Sequence, residues 1–151
     1  MSQKRGRRSQ GNSLEYLYSF LCDFADNSGA KLTAVGIGFD TIYARSVPAT
    51  HLSLYSVLSL RFSSVETGSK QISLVLVDAD GNLLGAQVDG AIQVNTPSPG
   101  YTYRTARIVM ALFNIQFKSF GDYAVVWTVD GHEVARNPVK VAEPPPSPTT
   151  A

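Results

Sequence analysis

The residues best suited to chemistry in this sequence are three polar residues at alternate positions, Asp78, Asp80 and Asn82. Carboxylate and amide oxygens at this spacing match the first three ligands of a calcium-binding loop, and Asp89 falls at the twelfth position of that loop. The match is incomplete, because Leu83 replaces the glycine of the sixth position and the twelfth normally holds glutamate. We take Asp78, Asp80 and Asn82 as candidate metal ligands. The alternative is a hairpin turn in which the aspartates bond their own backbone.

The remaining acidic and imidazole groups are scattered along the chain. Asp23, Asp26 and Asp40 lie near the ends of predicted strands, where aspartate more often caps a loop than joins a catalytic carboxylate pair. His51 and His132 are too far apart in the sequence to give the spacing of a metal site. We therefore predict that the three aspartates cap loops and that both histidines are surface turn residues.

Nucleophilic and cofactor chemistry have little support. Cys22 is the single cysteine, which excludes an internal disulfide and a cysteine-based zinc cluster, and its apolar surroundings predict a small buried hydrophobe. The sequence has no Gly-x-Ser-x-Gly elbow and no phosphate-binding loop. Gly36 and Gly38 lack the third glycine of a dinucleotide site. These patterns predict neither an enzyme nor a cofactor.

The elements that must position these residues are strands. Segments with turn signals between them recur at intervals of about ten residues, as is typical of an antiparallel β-sandwich. Asp80-Gly81 and Asp130-Gly131 are typical of two-residue hairpin turns. We predict an all-β fold, an antiparallel β-sandwich of roughly eight strands, immunoglobulin-like or C2-like, although 54–62 also fits a short helix. The predicted strands cover 16–25, 31–44, 51–63, 71–77, 83–94, 107–117, 123–129 and 133–141.

One strand face is predicted to lie in the core. Alternation along 123–129 places Tyr123, Val125, Trp127 and Val129 on one side, which we expect to be buried between the sheets. The Tyr123 hydroxyl is expected to bond a backbone group near the preceding turn, in the manner of a tyrosine corner.

The composition of the sequence is typical of a globular protein. The chain has 151 residues, of which 44% are hydrophobic and 17% are charged, which suits one globular domain, here placed at 14–142. No apolar run approaches the roughly 18 residues that a membrane-spanning helix needs. Glu15 and Asp23 flank a short apolar segment that lacks the features of a secretory signal. We therefore expect a cytoplasmic protein without membrane contact.

The two ends differ from the domain in composition. Residues 1–13 are predicted to form a disordered basic arm, and residues 143–151 a proline-rich tail that acts as a spacer. The four basic residues of the arm are Lys4, Arg5, Arg7 and Arg8. They leave 9 basic and 12 acidic residues for the rest of the chain. The arm predicts a weak, salt-sensitive contact with nucleic acid, or a solubilising role, which we favour.

Several short phrases occur together in an order that resembles a known family. They are Leu21-Cys22-Asp23-Phe24-Ala25, Gly29-Ala30-Lys31-Leu32, Asp40-Thr41-Ile42-Tyr43-Ala44, Pro48, Val77-Asp78-Ala79-Asp80-Gly81, Phe120-Gly121-Asp122-Tyr123 and Val129-Asp130-Gly131. Over residues 17–142 the sequence resembles a family of small bacterial all-β proteins that carries only a domain-of-unknown-function label. The resemblance implies a β-sandwich and supplies no activity.

Three functions are compatible with these observations. The leading hypothesis is a non-enzymatic β-sandwich that acts by protein contact, as a structural or adaptor component of a bacterial or phage assembly. The second is a calcium- or ligand-binding module built around Asp78, Asp80 and Asn82. The third is an uncharacterised hydrolase.

Overall fold

The computed structural model describes residues 13–146, except for the side chain of Ala86. Residues 1–12 of the predicted arm and residues 147–151 of the predicted tail lie outside the described residues. The described chain is built almost entirely of strands, with a short 3-10 helix at Ser64–Glu66. The prediction of an all-β fold is confirmed.

Within the part of the chain that the structure describes, ten strands form three sheets, which is more than the roughly eight strands predicted. The strands are β1 (Leu14–Cys22), β2 (Phe24–Asp26), β3 (Thr33–Val35), β4 (Thr41–Tyr43), β5 (Ala49–Ser63), β6 (Gly68–Asp78), β7 (Leu83–Val94), β8 (Tyr103–Phe117), β9 (Gly121–Val129) and β10 (His132–Ala142). Three strands form one sheet in the order β1-β5-β8, and five form a second in the order β4-β10-β9-β6-β7. β2 and β3 form a separate two-stranded ribbon.

One strand pair departs from the predicted antiparallel arrangement. β4 pairs with β10 in parallel, and Thr41, Ile42 and Tyr43 lie opposite Lys140, Val141 and Ala142. All other pairs are antiparallel. No hairpin turn links β4 to β10, so their direction is not fixed by local sequence, and alternation alone could not have predicted it.

The segment predicted as one extended stretch over 31–44 is divided into β3 and β4. Gly36 and Gly38 interrupt it with positive φ angles of 68° and 86°. A side chain at Gly36 would collide with the carboxylate of Asp23, so the Asp23 side chain packs directly against this glycine. The prediction of a single continuous strand over 31–44 is therefore wrong.

The three-stranded and five-stranded sheets share one hydrophobic core. β5 runs through the centre of the smaller sheet, so the alternative of a helix over 54–62 is wrong. Four of its residues belong to one buried cluster with Leu74 of β6 and Trp127 of β9, namely Leu54, Leu58, Leu60 and Phe62.

The predicted core face of β9 is confirmed. Its members Tyr123, Val125, Trp127 and Val129 are all buried, and Trp127 is 0% exposed. The Tyr123 hydroxyl donates a hydrogen bond to the Ser119 carbonyl oxygen at 2.7 Å, which confirms the expected tyrosine corner. On the opposite face of β9, Ala124 and Val126 are buried as well.

The two Asp-Gly pairs form different turns. Asp130 and Gly131 have φ angles of 49° and 82° and join β9 directly to β10, as predicted for a two-residue hairpin. The loop after Asp78 is longer. The Asp78 N–H donates to the Asn82 carbonyl at 2.9 Å, and the Gly81 N–H donates to the Asp78 carbonyl at 3.0 Å. The two-residue prediction for Asp80-Gly81 is therefore wrong.

The β2–β3 ribbon covers part of the outer face of the three-stranded sheet. Cys22, Ala25 and Val57 form a second buried cluster beneath it. The Asn27 side chain, in the turn of the ribbon, donates to the Arg107 carbonyl of β8 at 2.6 Å. The ribbon thus crosses β5, and this hydrogen bond holds it to β8.

Candidate functional site

The predicted metal ligands meet in the turn between β6 and β7, where they bond to one another. One carboxylate oxygen of Asp78 accepts the backbone N–H groups of Asp80 and Asn82, each at 2.9 Å. Its other oxygen lies 3.4 Å from the Asn82 amide nitrogen. The Asn82 N–H, followed by the Asp80 N–H, holds the pKa of Asp78 below its ordinary value. The Asp78 carboxylate therefore serves as the cap of its own turn, the arrangement expected for the hairpin alternative.

The carboxylate at the twelfth position lies away from this turn. Asp89 is opposite Ser73 in the middle of the β6–β7 pair, and it accepts a hydrogen bond from the Gln87 side chain at 2.6 Å. Across residues 13–146, no three histidine, cysteine or carboxylate side chains are grouped so that they could hold a metal ion. The structure brings Asp78 and Asn82 together, but it does not add the distant ligand that the calcium loop requires.

The scattered aspartates mostly take the predicted loop positions. Asp26 accepts the Ser28 hydroxyl at 2.8 Å, and Asp40 accepts the Thr41 hydroxyl at 2.9 Å. Asp23 lies apart from both, against the backbone of Gly36. Asp26 also accepts the Ser28 N–H at 3.3 Å, which confirms the loop-capping prediction for this residue.

The histidines and the cysteine differ in their surroundings. His132 is exposed at the start of β10, as predicted. His51 lies half-buried within β5, so its assignment to a surface turn is wrong, and its burial lowers the pKa of the imidazole below the ordinary value. Cys22 is fully buried, and burial raises the pKa of its thiol. A protonated, inaccessible thiol is the buried hydrophobe that the sequence predicts.

An exposed group of aromatic side chains is the feature that sequence reasoning missed. The Phe24 and Tyr55 ring centroids are 5.2 Å apart, and the Tyr55 and Phe113 centroids are 6.1 Å apart with the rings edge to face. We call Phe24, Tyr55 and Phe113 the aromatic strip. Phe24 is 48% exposed and Phe113 is 60% exposed.

Three separate elements assemble the aromatic strip. Phe24 belongs to the ribbon, and Tyr55 and Phe113 belong to β5 and β8 on the face opposite to the core. Val35, also exposed, lies directly opposite Phe24 in the ribbon. One feature of the sequence could have indicated the aromatic strip. Both the odd-numbered and the even-numbered residues of 107–117 are largely apolar, which indicates that neither face of this strand lies fully in solvent.

Two clefts open along the side where the edge strands β7 and β8 face each other. One, of about 790 Å³, lies beside the β6–β7 turn, with Leu76, Leu112 and Tyr123 among its apolar lining. The other, of about 590 Å³, lies at the opposite end of the same side, beneath the chain that connects β7 to β8. Both volumes are within the range of about 300–1,000 Å³ that is usual for small-molecule sites.

A comparison with protein families matches most of the chain. The family model of DUF6941, described as a family of unknown function, matches residues 17–142. The chain belongs to this family. No curated protein matches the sequence. The resemblance to a family known only as a domain of unknown function is confirmed, and the match covers the same residues.

A search of the described residues for membrane-spanning segments finds no helix with the length and apolar character needed to cross a bilayer.

Proposed function

We propose that this protein is a non-enzymatic binding module that acts by protein contact, as a structural or adaptor component of a bacterial or phage assembly. The observation that carries the proposal is the aromatic strip. Aromatic side chains dominate the energetics of protein interfaces because each presents a large apolar area with few rotatable bonds. In a monomer, the exposed rings of Phe24 and Phe113 would leave that area in water.

The surroundings of the aromatic strip suit a docking surface. Tyr55 is held between the two phenylalanines by ring contacts, so the strip is ordered before any partner binds. A preorganised contact loses less conformational entropy on binding than a flexible one. Phe24 is also fixed from below, since its neighbour Ala25 is buried against Val57.

The architecture that we propose for this role is a β-sandwich of the immunoglobulin-like or C2-like type. The support for it is that a three-stranded and a five-stranded sheet contribute to one common core. In such a fold the outer face of one sheet remains available to a partner while the inner face stabilises the domain.

The test replaces the aromatic strip without disturbing the core. The double variant Phe24→Ser/Phe113→Ser and the control Val65→Ser, whose side chain is exposed outside the strip, are used with the wild type as affinity baits. We expect a protein that is retained by the wild type and the Val65→Ser control and lost from the double variant. Equal recovery of the same proteins on all three baits would contradict the proposal.

A further inference from the structure

The cleft beneath the β7–β8 connection is bounded by both strands and by the segment that joins them. We call it the arginine cleft, after Arg104 and Arg107, which line it. Ile92 and Val94 of β7 form one wall, and Ile108 of β8 forms part of the other. The aromatic ring of Phe62 adds to this apolar lining from β5.

Both ends of the arginine cleft are blocked by protein. At the loop end, Ser98 and Tyr101 line it, and the Tyr101 N–H donates to the Ser98 carbonyl at 2.9 Å. Towards the middle of the strands, the Met110 side chain lies against Gly90 so closely that a Cβ on the glycine would be 3.0 Å from the Met110 Cε. The cleft therefore has the length of a small molecule, and a continuous peptide strand would have to part β7 from β8.

The charge of the arginine cleft is not neutralised from within. Arg104 and Arg107 line it together with neutral residues, and no carboxylate contributes to the lining. Arg107 is exposed and on the opposite parity of β8, so Arg104 is the charge that faces the apolar lining. Among residues 13–146, neither guanidinium forms an ion pair. The rest of the chain beyond the first 12 residues carries 12 acidic and 9 basic residues, so this local excess of positive charge lies within a mildly acidic body.

Arg104 places a positive charge beside the apolar lining of the cleft, which includes Phe62. Arg104 lies opposite Phe62 in the β5–β8 pair, and the Phe62 side chain points into the core. Arg104 therefore extends from the core-facing side of β8 at its open edge and is half-buried there. Nearby, the Arg61 guanidinium stacks 4.1 Å from the centre of the Tyr103 ring, but Arg61 does not line the cleft and it pairs with Glu15.

We propose that the arginine cleft binds a small amphipathic carboxylate, such as a medium-chain fatty acid. A guanidinium presents two parallel N–H donors that match the two oxygens of a carboxylate, and partial burial strengthens that interaction. The apolar floor accepts the aliphatic or aromatic body of the ligand. The site is separate from the aromatic strip, so this proposal does not depend on the proposed protein contact.

The experiment titrates the full-length chain with decanoate below its micelle concentration and follows binding by calorimetry. Decan-1-ol, which has the same chain without the charge, is titrated in parallel. We expect decanoate to bind about tenfold or more tightly than the alcohol, because a charge-assisted hydrogen bond is made only with the acid. Absence of decanoate binding, or equal affinity for the two ligands, would overturn the proposal.

The variants locate the binding site. Arg104→Gln should weaken decanoate binding by about tenfold and leave the affinity for decan-1-ol within about twofold. The control Arg45→Gln removes an arginine that does not line the cleft, and it should bind decanoate as the wild type does. Unchanged decanoate binding by Arg104→Gln would overturn the assignment.

A second variant keeps both arginines and reduces the space. Ala106 lines the cleft and is half-buried, so Ala106→Leu should weaken the binding of both ligands. The native environment of Trp127, read from its fluorescence, establishes that each variant is folded. If Ala106→Leu is folded and binds both ligands as the wild type does, the binding site lies elsewhere.

Discussion

One buried hydrogen bond connects the two large sheets at the scale of single residues. The Trp127 indole N–H donates to the Ser56 hydroxyl at 2.8 Å, and both side chains are fully buried. The Ser56 hydroxyl in turn donates to the Phe20 carbonyl at 3.4 Å. Ser56 therefore satisfies the one polar atom of the largest side chain in the core, and its own hydroxyl is satisfied by β1.

Replacement of Ser56 by alanine should show how much this hydrogen bond contributes to the free energy of unfolding. We expect Ser56→Ala to lower the free energy of unfolding by about 1–3 kcal/mol, because it leaves the Trp127 N–H buried without an acceptor. Trp127→Phe should lower the free energy of unfolding by less in the Ser56→Ala background than in the wild type. In that background the indole N–H has already lost its acceptor, so its removal breaks no hydrogen bond. Urea unfolding of the four proteins gives this coupling energy, which should be about 0.5–3 kcal/mol.

The control for this cycle is a serine without a buried partner. Ser69→Ala changes an exposed residue of β6 and should alter the free energy of unfolding by no more than about 0.5 kcal/mol. Additive costs of Ser56→Ala and Trp127→Phe would show that the hydrogen bond contributes nothing beyond the packing of the two side chains.

At the scale of elements, the β9–β10 turn is fastened to a neighbouring strand. The Asp130 carboxylate accepts the Gln71 N–H at 2.9 Å, and the Asp130 N–H donates to the Gln71 carbonyl at 2.8 Å. Lys70 lies between the Glu66 carboxylate at 2.5 Å and the Asp130 carboxylate at 3.8 Å. The turn thus closes a hairpin and also aligns β9 with β6.

A glycine substitution tests the conformation of this turn. Gly131 has a φ of 82°, and a side chain in the left-handed region costs about 1–2 kcal/mol, so Gly131→Ala should lower the free energy of unfolding by about that amount. Gly29→Ala is the matched control, because the Gly29 φ lies outside that region and no atom lies within 4 Å of the added methyl group. Chemical denaturation of both variants should separate them; an equal change in both would contradict the turn assignment.

Local patterns predicted the elements better than their assembly. The bounds of β7, Leu83–Val94, were predicted in full from the turn signals on either side, and the β9–β10 hairpin from its Asp-Gly pair. The parallel pairing of β4 with β10 was not predictable in this way. The paired residues are about a hundred positions apart in the sequence, and no local signal links the two strands.

The candidate site shows the same division. Asp78 was identified from its spacing, and its role as a turn cap follows from residues within the same loop. The aromatic strip instead requires Phe24, Tyr55 and Phe113 to converge from three elements after the ribbon has folded over the sheet. Contact between residues so distant in the chain depends on packing, which the local sequence pattern does not encode.

At the scale of the whole molecule, the shifted acidic groups all favour stability above acidic pH. A hydrogen bond from Lys70 lowers the pKa of Glu66, and one from Arg136 lowers the pKa of Glu133. Backbone N–H groups lower the pKa of Asp78. Because the folded carboxyls bind protons less readily than the unfolded ones, each contributes stability that is lost as the pH falls below the ordinary values of 4.5 for Glu and 3.8 for Asp.

The half-buried His51 and the buried Cys22 define the limits of the neutral range. The folded pKa of His51 is below its ordinary value of 6.5, so the unfolded chain takes up this proton first and stability decreases as the pH falls from 6.5 through the folded pKa. The folded pKa of Cys22 is above its ordinary value of 9.0. The unfolded chain therefore ionises first on the alkaline side, and stability decreases as the pH rises above 9.0.

Together these groups predict a plateau of stability between pH 6.5 and 9.0, with a decrease on both sides and a further decrease below pH 4.5. Urea midpoints measured across this range should show it. His51→Asn should remove the decrease that begins at pH 6.5, and Cys22→Ala the decrease that begins at pH 9.0, each regardless of its effect on stability at neutral pH. His132→Asn, at an exposed position, should leave the profile unchanged. Stability that rises as the pH falls from 6.5 towards 5 would contradict the prediction, because only a folded state that binds protons more tightly than the unfolded chain behaves in that way.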